Sequence, residues 1–247
     1  IANNSDIRFK NIFNKLKLDF DDFDASRKQS EEIKAINKLK LKKNKNVKQP
    51  NASDTKVFTD SSHVVLIVGQ VINDFSILET KQSNINSLQS YLEMIKAIIN
   101  ETNFNIIFKA HPWENQKTNI KRPITKEKIL DFISKEFNKQ QQARIVVLED
   151  YNLDSLISQS KFIVGLCSQS LIEATMHGKK TIQMGKAFFG GYGFTYDCDN
   201  VEQIISIMVD SDNSGGLTTN EYKDFLLFIT LFNQFHLVSV FNSGIPM

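Results

Sequence analysis

The amino-acid sequence predicts an α/β fold, in which a Rossmann-like parallel sheet with helices on both faces follows an N-terminal helical segment. After about residue 60, short apolar runs alternate with stretches whose apolar residues recur at helical spacing. These runs are apolar throughout, which is typical of parallel strands buried on both faces. The chain has 247 residues, of which 41% are hydrophobic and 23% charged, and this is enough for such a core.

The apolar runs and the helical spacing give the order of the elements. The predicted strands are Val64–Val68, Asn105–Phe108, Arg144–Leu148, Phe162–Gly165 and Thr181–Met184. The predicted helices are Ile85–Asn100, Lys126–Asn138, Leu153–Ser158, Ser170–His177 and Val201–Val209. A last helix is predicted within Tyr222–Phe241, where phenylalanines recur at helical spacing and polar residues interrupt the apolar face.

Residues 1–60 form a separate segment in this prediction. The spacing of their apolar residues predicts two amphipathic helices before about residue 41. The run Lys38–Lys48 holds six lysines and no acid, and it leads into the polar stretch Pro50–Asp54, which we interpret as a linker. The lysines fit a solvated helix end or, alternatively, a contact with an anionic membrane surface. The predicted domains are residues 1–60 and residues 61–247.

The composition argues against several classes of protein. A net charge of +2 gives no support for nucleic-acid binding. Cys167 and Cys198 are the two cysteines, and without a zinc spacing they fit a reducing compartment. The first residues lack the basic flank and apolar core of a secretory signal, and no apolar run reaches the roughly 18 residues of a membrane span. We therefore expect a cytoplasmic protein, with peripheral membrane contact as an alternative.

Polar side chains that could bind a ligand or take part in catalysis follow three of the predicted strands. Gln70 and Asp74 follow the first strand, Lys109 and His111 the second, and Ser168, Gln169 and Ser170 the fourth. Ligands of parallel sheets bind beyond the carboxyl ends of the strands, so these residues are expected on one edge. Taken singly, each could be a helix cap or a structural turn residue. Together they could bind an anionic ligand and transfer a proton or act as a nucleophile.

Common catalytic and nucleotide motifs are missing from the sequence. It contains no G-x-G-x-x-G, no G-x-x-x-x-G-K-[ST] and no G-x-S-x-G. The turn Ser168–Ser170 precedes a predicted helix, whose free N–H groups and dipole favour a phosphate. We therefore expect a nucleotide held by its phosphate at this turn, without a metal or other cofactor.

One segment matches the spacing of a calcium loop. Asp210, Asp212 and Ser214 stand at positions 1, 3 and 5 of an EF-hand loop, with Gly215 at position 6 and Glu221 at position 12. The sequence holds no second copy of this pattern, and a polar turn before a helix start explains it equally well. We favour the turn, so no metal ligands are predicted.

Three blocks of the sequence resemble the capsule polysaccharide synthesis family, the bacterial Kdo transferases of capsule lipid-linker assembly. Val68–Ile77 is similar to the family's Q-x-x-x-D segment, and Lys109–Pro112 is similar to its K-P-H-P segment. Ser168–Lys180 and Gly185–Thr195 together resemble its long C-terminal signature. The likeness covers about residues 63–200 and keeps the order and spacing of the blocks.

The resemblance implies a GT-B-like transferase that uses a CMP-activated 3-deoxy-2-ulosonic acid such as Kdo, with residues 61–247 as the C-terminal donor-binding domain. It implies catalytic roles for Asp74 and His111. It also implies donor binding by Gln70, Lys109, Ser168, Gln169, Ser170 and Glu173. Residues 1–60 would be a remnant of an acceptor domain or a connector to one.

The sequence departs from the family pattern at three positions. Ala110 replaces the usual proline, Tyr192 replaces a tryptophan and Asn73 stands where an acid is common, so the exact sugar stays open. The expected partners are a nucleotide-sugar donor, a saccharide or glycolipid acceptor, and the inner membrane or other capsule-assembly proteins. A non-catalytic nucleotide-sugar-binding scaffold and a CMP-sialic-acid transferase are the alternatives.

Overall fold

A computed structural model describes residues 50–71, 87–115 and 124–233 of the chain. The strands are β1 (Val64–Val68), β2 (Asn105–Lys109), β3 (Ile145–Leu148), β4 (Phe162–Gly165), β5 (Thr181–Gln183) and β6 (Thr195–Asp197). The helices are α1 (Ser87–Glu101), α2 (Ile124–Glu136), α3 (Lys139–Gln142), α4 (Leu153–Ser158), α5 (Ser170–Met176), α6 (Val201–Val209) and α7 (Thr219–Leu231). Short 3₁₀ turns cover Ser61–His63 and Pro112–Asn115.

The six strands form one sheet in the order β3-β2-β1-β4-β5-β6, and every pair of neighbours is parallel. This is the strand order of the Rossmann fold. The predicted fold class is therefore confirmed. β6 was not predicted, because its three residues follow a glycine-rich stretch and are too few for a visible apolar pattern.

The sheet is covered on both faces. Val65 and Ile67 of β1 belong to an apolar cluster that also contains residues of α1, α2 and α6. Val64, Leu66 and Val68 point to the opposite face, since side chains alternate along a strand, and they are buried as well. A fully apolar strand such as β1 can exist only with both faces covered, which explains the unbroken run in the sequence.

Side-chain caps set the starts of two helices. Asn152 Oδ1 accepts a hydrogen bond from Ser155 N at 3.0 Å at the start of α4. Asn200 does the same for Gln203 N at 2.9 Å at the start of α6. These caps satisfy backbone N–H groups that have no partner inside the helix. Both helices have the predicted bounds.

The chain divides into two compact units, residues 44–218 and a second unit of residues 1–43 with 219–247. Residues 50–57 lie along α4: Ser53 N donates to Ser155 Oγ at 3.0 Å, and Val57 N donates to Gln159 Oε1 at 2.8 Å. The stretch interpreted as a linker is thus attached to the sheet domain. The predicted N-terminal helices lie outside the described residues, and the domain boundary at residue 60 stays a prediction.

α7 belongs to the second unit and includes the predicted phenylalanine face, with Phe225 and Phe228 buried. The predicted continuation of this helix to residue 241 lies outside the described residues. Within residues 50–71, 87–115 and 124–233, no helix is long and apolar enough to cross a membrane.

Candidate functional site

The strand order reverses between β1 and β4, which are neighbours in the sheet. From β1 the chain order continues to β2 and β3 on one side, and from β4 it continues to β5 and β6 on the other. In doubly wound sheets, the connections on the two sides of such a reversal leave a crevice outside the carboxyl ends of the strands. Parallel sheets bind ligands at this kind of point.

Gln70 connects the two loops that flank this crevice. Its side chain is 5% exposed, and its Oε1 accepts a hydrogen bond from Cys167 N at 3.2 Å. This partly buried bond thus joins the first sequence block to the residue just before the third block. Because the amide oxygen faces the backbone after β4, Gln70 shapes the turn that follows.

The turn Ser168–Ser170 leads into α5. Ser168 Oγ accepts from Ser170 N at 3.3 Å, and Ser168 O accepts from Leu171 N at 3.1 Å. The side chains of both serines are half-buried, and Gln169 between them is exposed. Ser168 thus acts as a local turn former while its hydroxyl hydrogen remains available to donate. This geometry is compatible with a helix cap and with a binding turn.

Two glycines allow the backbone to pass closely under this turn. A Cβ at Gly165 would lie 2.7 Å from Val68 Cγ2, and a Cβ at Gly185 would lie 2.7 Å from the carbonyl carbon of Leu166. Gly185 N also donates to Leu166 O at 3.0 Å. The loop after β5 therefore contacts the backbone of the loop after β4, which a side chain at Gly185 would prevent, and a side chain at Gly165 would meet Val68.

Lys109 ends β2 and is 6% exposed. Its ammonium group donates to Glu149 O and, at 3.4 Å, to Ala110 O. Burial lowers the pKa of Lys109, and the negative charges of Asp150 and Glu149 oppose that shift. The structure thus turns the predicted donor-binding ammonium group toward backbone carbonyls that join the ends of β2 and β3.

His111 follows β2 and is half-buried at the same edge. Its carbonyl accepts from Glu114 N at 3.2 Å within the 3₁₀ turn Pro112–Asn115. The histidine and the serine turn thus follow β2 and β4, the two strands that flank β1. Glu173 is exposed on the first turn of α5. Asp74 lies outside the described residues, so its predicted role stays a prediction.

A further group of side chains supports the signature Gly185–Thr195. Gln183 Nε2 donates to Asp197 Oδ1 at 2.6 Å, and Asp197 Oδ2 accepts from Gly191 N at 2.7 Å. A Cβ at Gly190 would lie 2.1 Å from Gln183 Nε2. Gly190 is therefore required by close packing on a buried amide, and Gly191 by its left-handed backbone, with a φ of 82°. No spacing pattern in the sequence indicates Gln183 and Asp197, because their role depends on this contact between two strands.

The segment that matched a calcium loop is a turn docked on the sheet domain. Asp210 Oδ1 accepts from Asp212 N at 3.0 Å, and Ser214 Oγ accepts from Gly216 N at 3.2 Å. Gly215 has a φ of 75°, and a Cβ there would lie 2.3 Å from Lys161 O. The glycine is thus required by a left-handed backbone and a close approach. Among the described residues, no group of three His, Cys, Asp or Glu side chains could hold a metal ion.

The edge as a whole presents an imidazole and two hydroxyl groups beside a crevice. An imidazolium and hydroxyl hydrogens are donors suited to phosphate oxygens, and an imidazole can also transfer a proton. Asp150, Asp197 and Asp199 add negative charge on the flanks of this edge. Donors at the centre with acids at the flanks suit a ligand that is both anionic and rich in hydroxyl groups.

The chain is similar to a known protein family in sequence and to solved structures in fold. The model of the family described as "Capsule polysaccharide biosynthesis protein" matches residues 5–205. Among solved structures, the chain is similar to Thermosulfurimonas dismutans KpsC, beta Kdo 2,4 transferase, with 21% identity and a TM-score of 0.51 over 85% of this chain and 57% of that chain. This likeness is one of fold.

A second similar structure is Thermosulfurimonas dismutans KpsC, beta Kdo 2,7 transferase, with 18% identity and a TM-score of 0.48 over 97% of this chain and 63% of that chain. The chain thus spans about three fifths of the length of each of these structures. No curated protein matches the chain by sequence.

Proposed function

The chain belongs to the family of capsule polysaccharide biosynthesis proteins, and on that premise we propose that it is a glycosyltransferase, or the donor-binding half of one, in the synthesis of a capsule or other surface polysaccharide. The acceptor would be a saccharide or glycolipid. The lysine-rich run Lys38–Lys48 would suit contact with an anionic membrane surface.

The observation that carries the proposal is the position of the three family-like blocks in the fold. Gln70, His111 and Ser168 lie far apart in the sequence, yet they follow β1, β2 and β4, which are neighbours in the sheet and end at one edge. A hydrogen bond from Cys167 N to Gln70 Oε1 joins the first block to the residue just before the third. Ligands of parallel sheets bind at this edge, which favours a binding role for these residues over a role as caps alone.

We propose a CMP-activated 3-deoxy-2-ulosonic acid, such as Kdo, as the donor. This choice rests on the motif resemblance. Transfer from such a donor breaks the bond between the anomeric carbon and the phosphate oxygen, and CMP leaves with an added negative charge. His111 would donate to that phosphate as an imidazolium, and the hydroxyl groups of Ser168 and Ser170 would bind its oxygens.

Asp74 and Glu173 complete the proposed site. The resemblance implies retention of the donor's anomeric configuration, which requires a group on the reacting face of the sugar. Asp74 is the candidate, either as a nucleophile that forms a glycosyl ester or as a base. Glu173, exposed one turn into α5, would accept hydrogen bonds from ribose hydroxyls.

Two substitutions test this assignment. His111→Ala should lower both CMP affinity and turnover, because the imidazole contacts the nucleotide in the ground state and in the transition state. Asp74→Ala should leave CMP affinity unchanged or slightly higher and abolish transfer, because the carboxylate faces the sugar. Calorimetry measures the first effect, and release of CMP from the donor measures the second. Equal loss of CMP affinity in both variants would contradict the division of roles.

A further inference from the structure

Glu114 is a buried carboxylate close to the candidate site. It lies in the 3₁₀ turn Pro112–Asn115 and is 2% exposed. Its Oε1 accepts from Thr125 Oγ1 at 2.5 Å, and its Oε2 accepts from Thr125 N at 3.2 Å. Thr125 is itself 1% exposed, at the second residue of α2. Both oxygens of the carboxylate are therefore bound by one residue of another element.

This arrangement stabilises the charge of the carboxylate. A buried carboxylate is costly unless hydrogen bonds replace its hydration. Here it receives a hydroxyl and a backbone N–H at the amino end of a 13-residue helix, where the helix dipole also favours negative charge. Glu114 thus caps the amino end of α2, although it lies eleven residues before Thr125 in the sequence. The turn that carries it is consequently fixed to the helix.

The same turn holds His111. Glu114 N donates to His111 O at 3.2 Å, so the residue that is anchored to α2 also binds the backbone of the histidine. On the other side, Ala110 N donates to Leu148 O at 2.7 Å, and Lys109 donates to Glu149 O. The backbone of His111 is therefore flanked by contacts to β3 before it and to α2 after it.

We propose that Glu114 is a positioning residue, which fixes the turn after β2 so that the imidazole of His111 is held toward the phosphate of the bound nucleotide. This inference rests on the proposed function for the identity of the ligand. The orientation of His111 itself does not depend on a ligand and can be measured without one. A cap that served stability alone would lower stability without affecting the imidazole.

The test uses the whole chain with the variants Glu114→Gln, Thr125→Val and the control Asp131→Asn. Asp131 lies on the same helix in an exposed ion pair with Lys135, 2.8 Å apart, so the control removes a carboxylate from α2 without contact with the turn. Thr125→Val removes the hydroxyl donor and leaves Glu114 in place, which covers the case in which Glu114→Gln fails to fold.

The first measurement is the nuclear magnetic resonance signal of the His111 ring. The sequence has four histidines, and His111→Ala assigns the signal. In Glu114→Gln and Thr125→Val, the His111 signal should shift and broaden, and the His63 and His177 signals should stay in place. Asp131→Asn should leave all of them unchanged. An unchanged His111 signal in both folded variants overturns the inference, whether or not the chain binds CMP.

The second measurement is a double-mutant cycle on CMP affinity. Glu114→Gln should weaken CMP binding about tenfold when His111 is present, which is the scale of one lost hydrogen bond to a charged group. In the His111→Ala background, the same change should weaken binding less than about twofold, because a positioning effect disappears with the residue that is positioned. Equal losses in the two backgrounds overturn the inference. Absence of CMP binding in the unaltered chain overturns the proposed function and leaves the ring signal as the test of Glu114.

Discussion

The two edges of the sheet use their polar side chains differently. At the amino edge, Arg144 donates to Ile99 O at 3.0 Å, and to Thr102 O and Phe104 O at 2.7 Å each. Lys179 donates to Ser160 O at 2.7 Å. These cations bind the carbonyls that end helices and precede strands. At the carboxyl edge, His111, Ser168 and Ser170 remain half-buried beside the crevice.

We interpret the difference as one between structural support at the amino edge and the proposed ligand binding at the carboxyl edge. Burial lowers the pKa of Arg144 and of Lys179, and carbonyl acceptors compensate for part of the lost hydration. Lys109 lies at the carboxyl edge but has the same surroundings, namely burial, a lowered pKa and carbonyl partners. In its contacts it therefore resembles the cations of the amino edge more than a ligand-binding group.

The largest effect on stability is expected from Arg144→Met. The change removes three hydrogen bonds from a partly buried charged donor, which should lower the free energy of unfolding by about 2–4 kcal/mol. CMP affinity of the folded protein should not change. Urea denaturation and calorimetry measure the two quantities. Lys135→Met, which removes an exposed ion pair, should change stability by no more than about 0.5 kcal/mol.

Ser168→Ala with Ser170→Ala should show the opposite profile. CMP binding should weaken by about 1–3 kcal/mol, the scale of hydrogen bonds to a charged group, and the fold should persist. The double variant could instead unfold more easily and yet bind CMP with unchanged affinity at a low temperature at which it is folded. The serines would then be helix caps, as Asn152 and Asn200 are. The carboxyl edge would then not differ from the amino edge.

Lys109→Met tests the residue for which sequence and structure suggest different roles. The sequence predicts donor binding, whereas the contacts indicate support. We expect a loss of about 1–2 kcal/mol in unfolding free energy and a smaller effect on CMP affinity than in the serine variant. A loss of CMP affinity as large as that of the serine variant, at unchanged stability, would restore the donor-binding role.

The smallest effect concerns Cys198, a buried thiol just after β6. Burial, with the charges of Asp197 and Asp199, raises its pKa from 9.0 to about 12. Between about pH 9 and about pH 12, the folded state therefore keeps a proton that the unfolded state loses. The contribution of the protonated thiol to the free energy of unfolding is complete below about pH 9 and is lost as the pH rises toward about 12. At pH 10 the loss should be about 1 kcal/mol. Cys198→Ala should remove this part of the alkaline slope in urea denaturation, and an identical slope in both proteins would contradict the assignment.

Much of the fold follows from the sequence. β1, β4, α4 and α6 have their predicted bounds, because apolar runs and asparagine caps mark them locally. β6 could not be predicted, since Thr195–Asp197 are fixed by pairing with β5 and by the contact of Asp197 with Gln183. These contacts join residues that no periodic pattern connects.

The sequence indicates the edge at which the candidate residues lie better than it indicates their contacts. The three polar turns after strands indicated one edge, because parallel strands end together. The direction of the Lys109 ammonium group was not visible, since it depends on carbonyls of the neighbouring strand. Glu114 was not singled out, because its importance comes from burial and from Thr125, eleven residues away. Contacts between secondary-structure elements decide these roles, and the spacing of residues in the sequence does not show such contacts.

The central claim is that the carboxyl edge at the switch point binds a CMP-linked sugar. Calorimetric titration of the chain with CMP, CDP, UDP and GDP, each with and without calcium, tests it most directly. We predict that CMP binds, that UDP and GDP do not, and that calcium leaves CMP affinity unchanged. Binding of UDP as tight as that of CMP, or tighter, would contradict the account and assign the edge to a different donor.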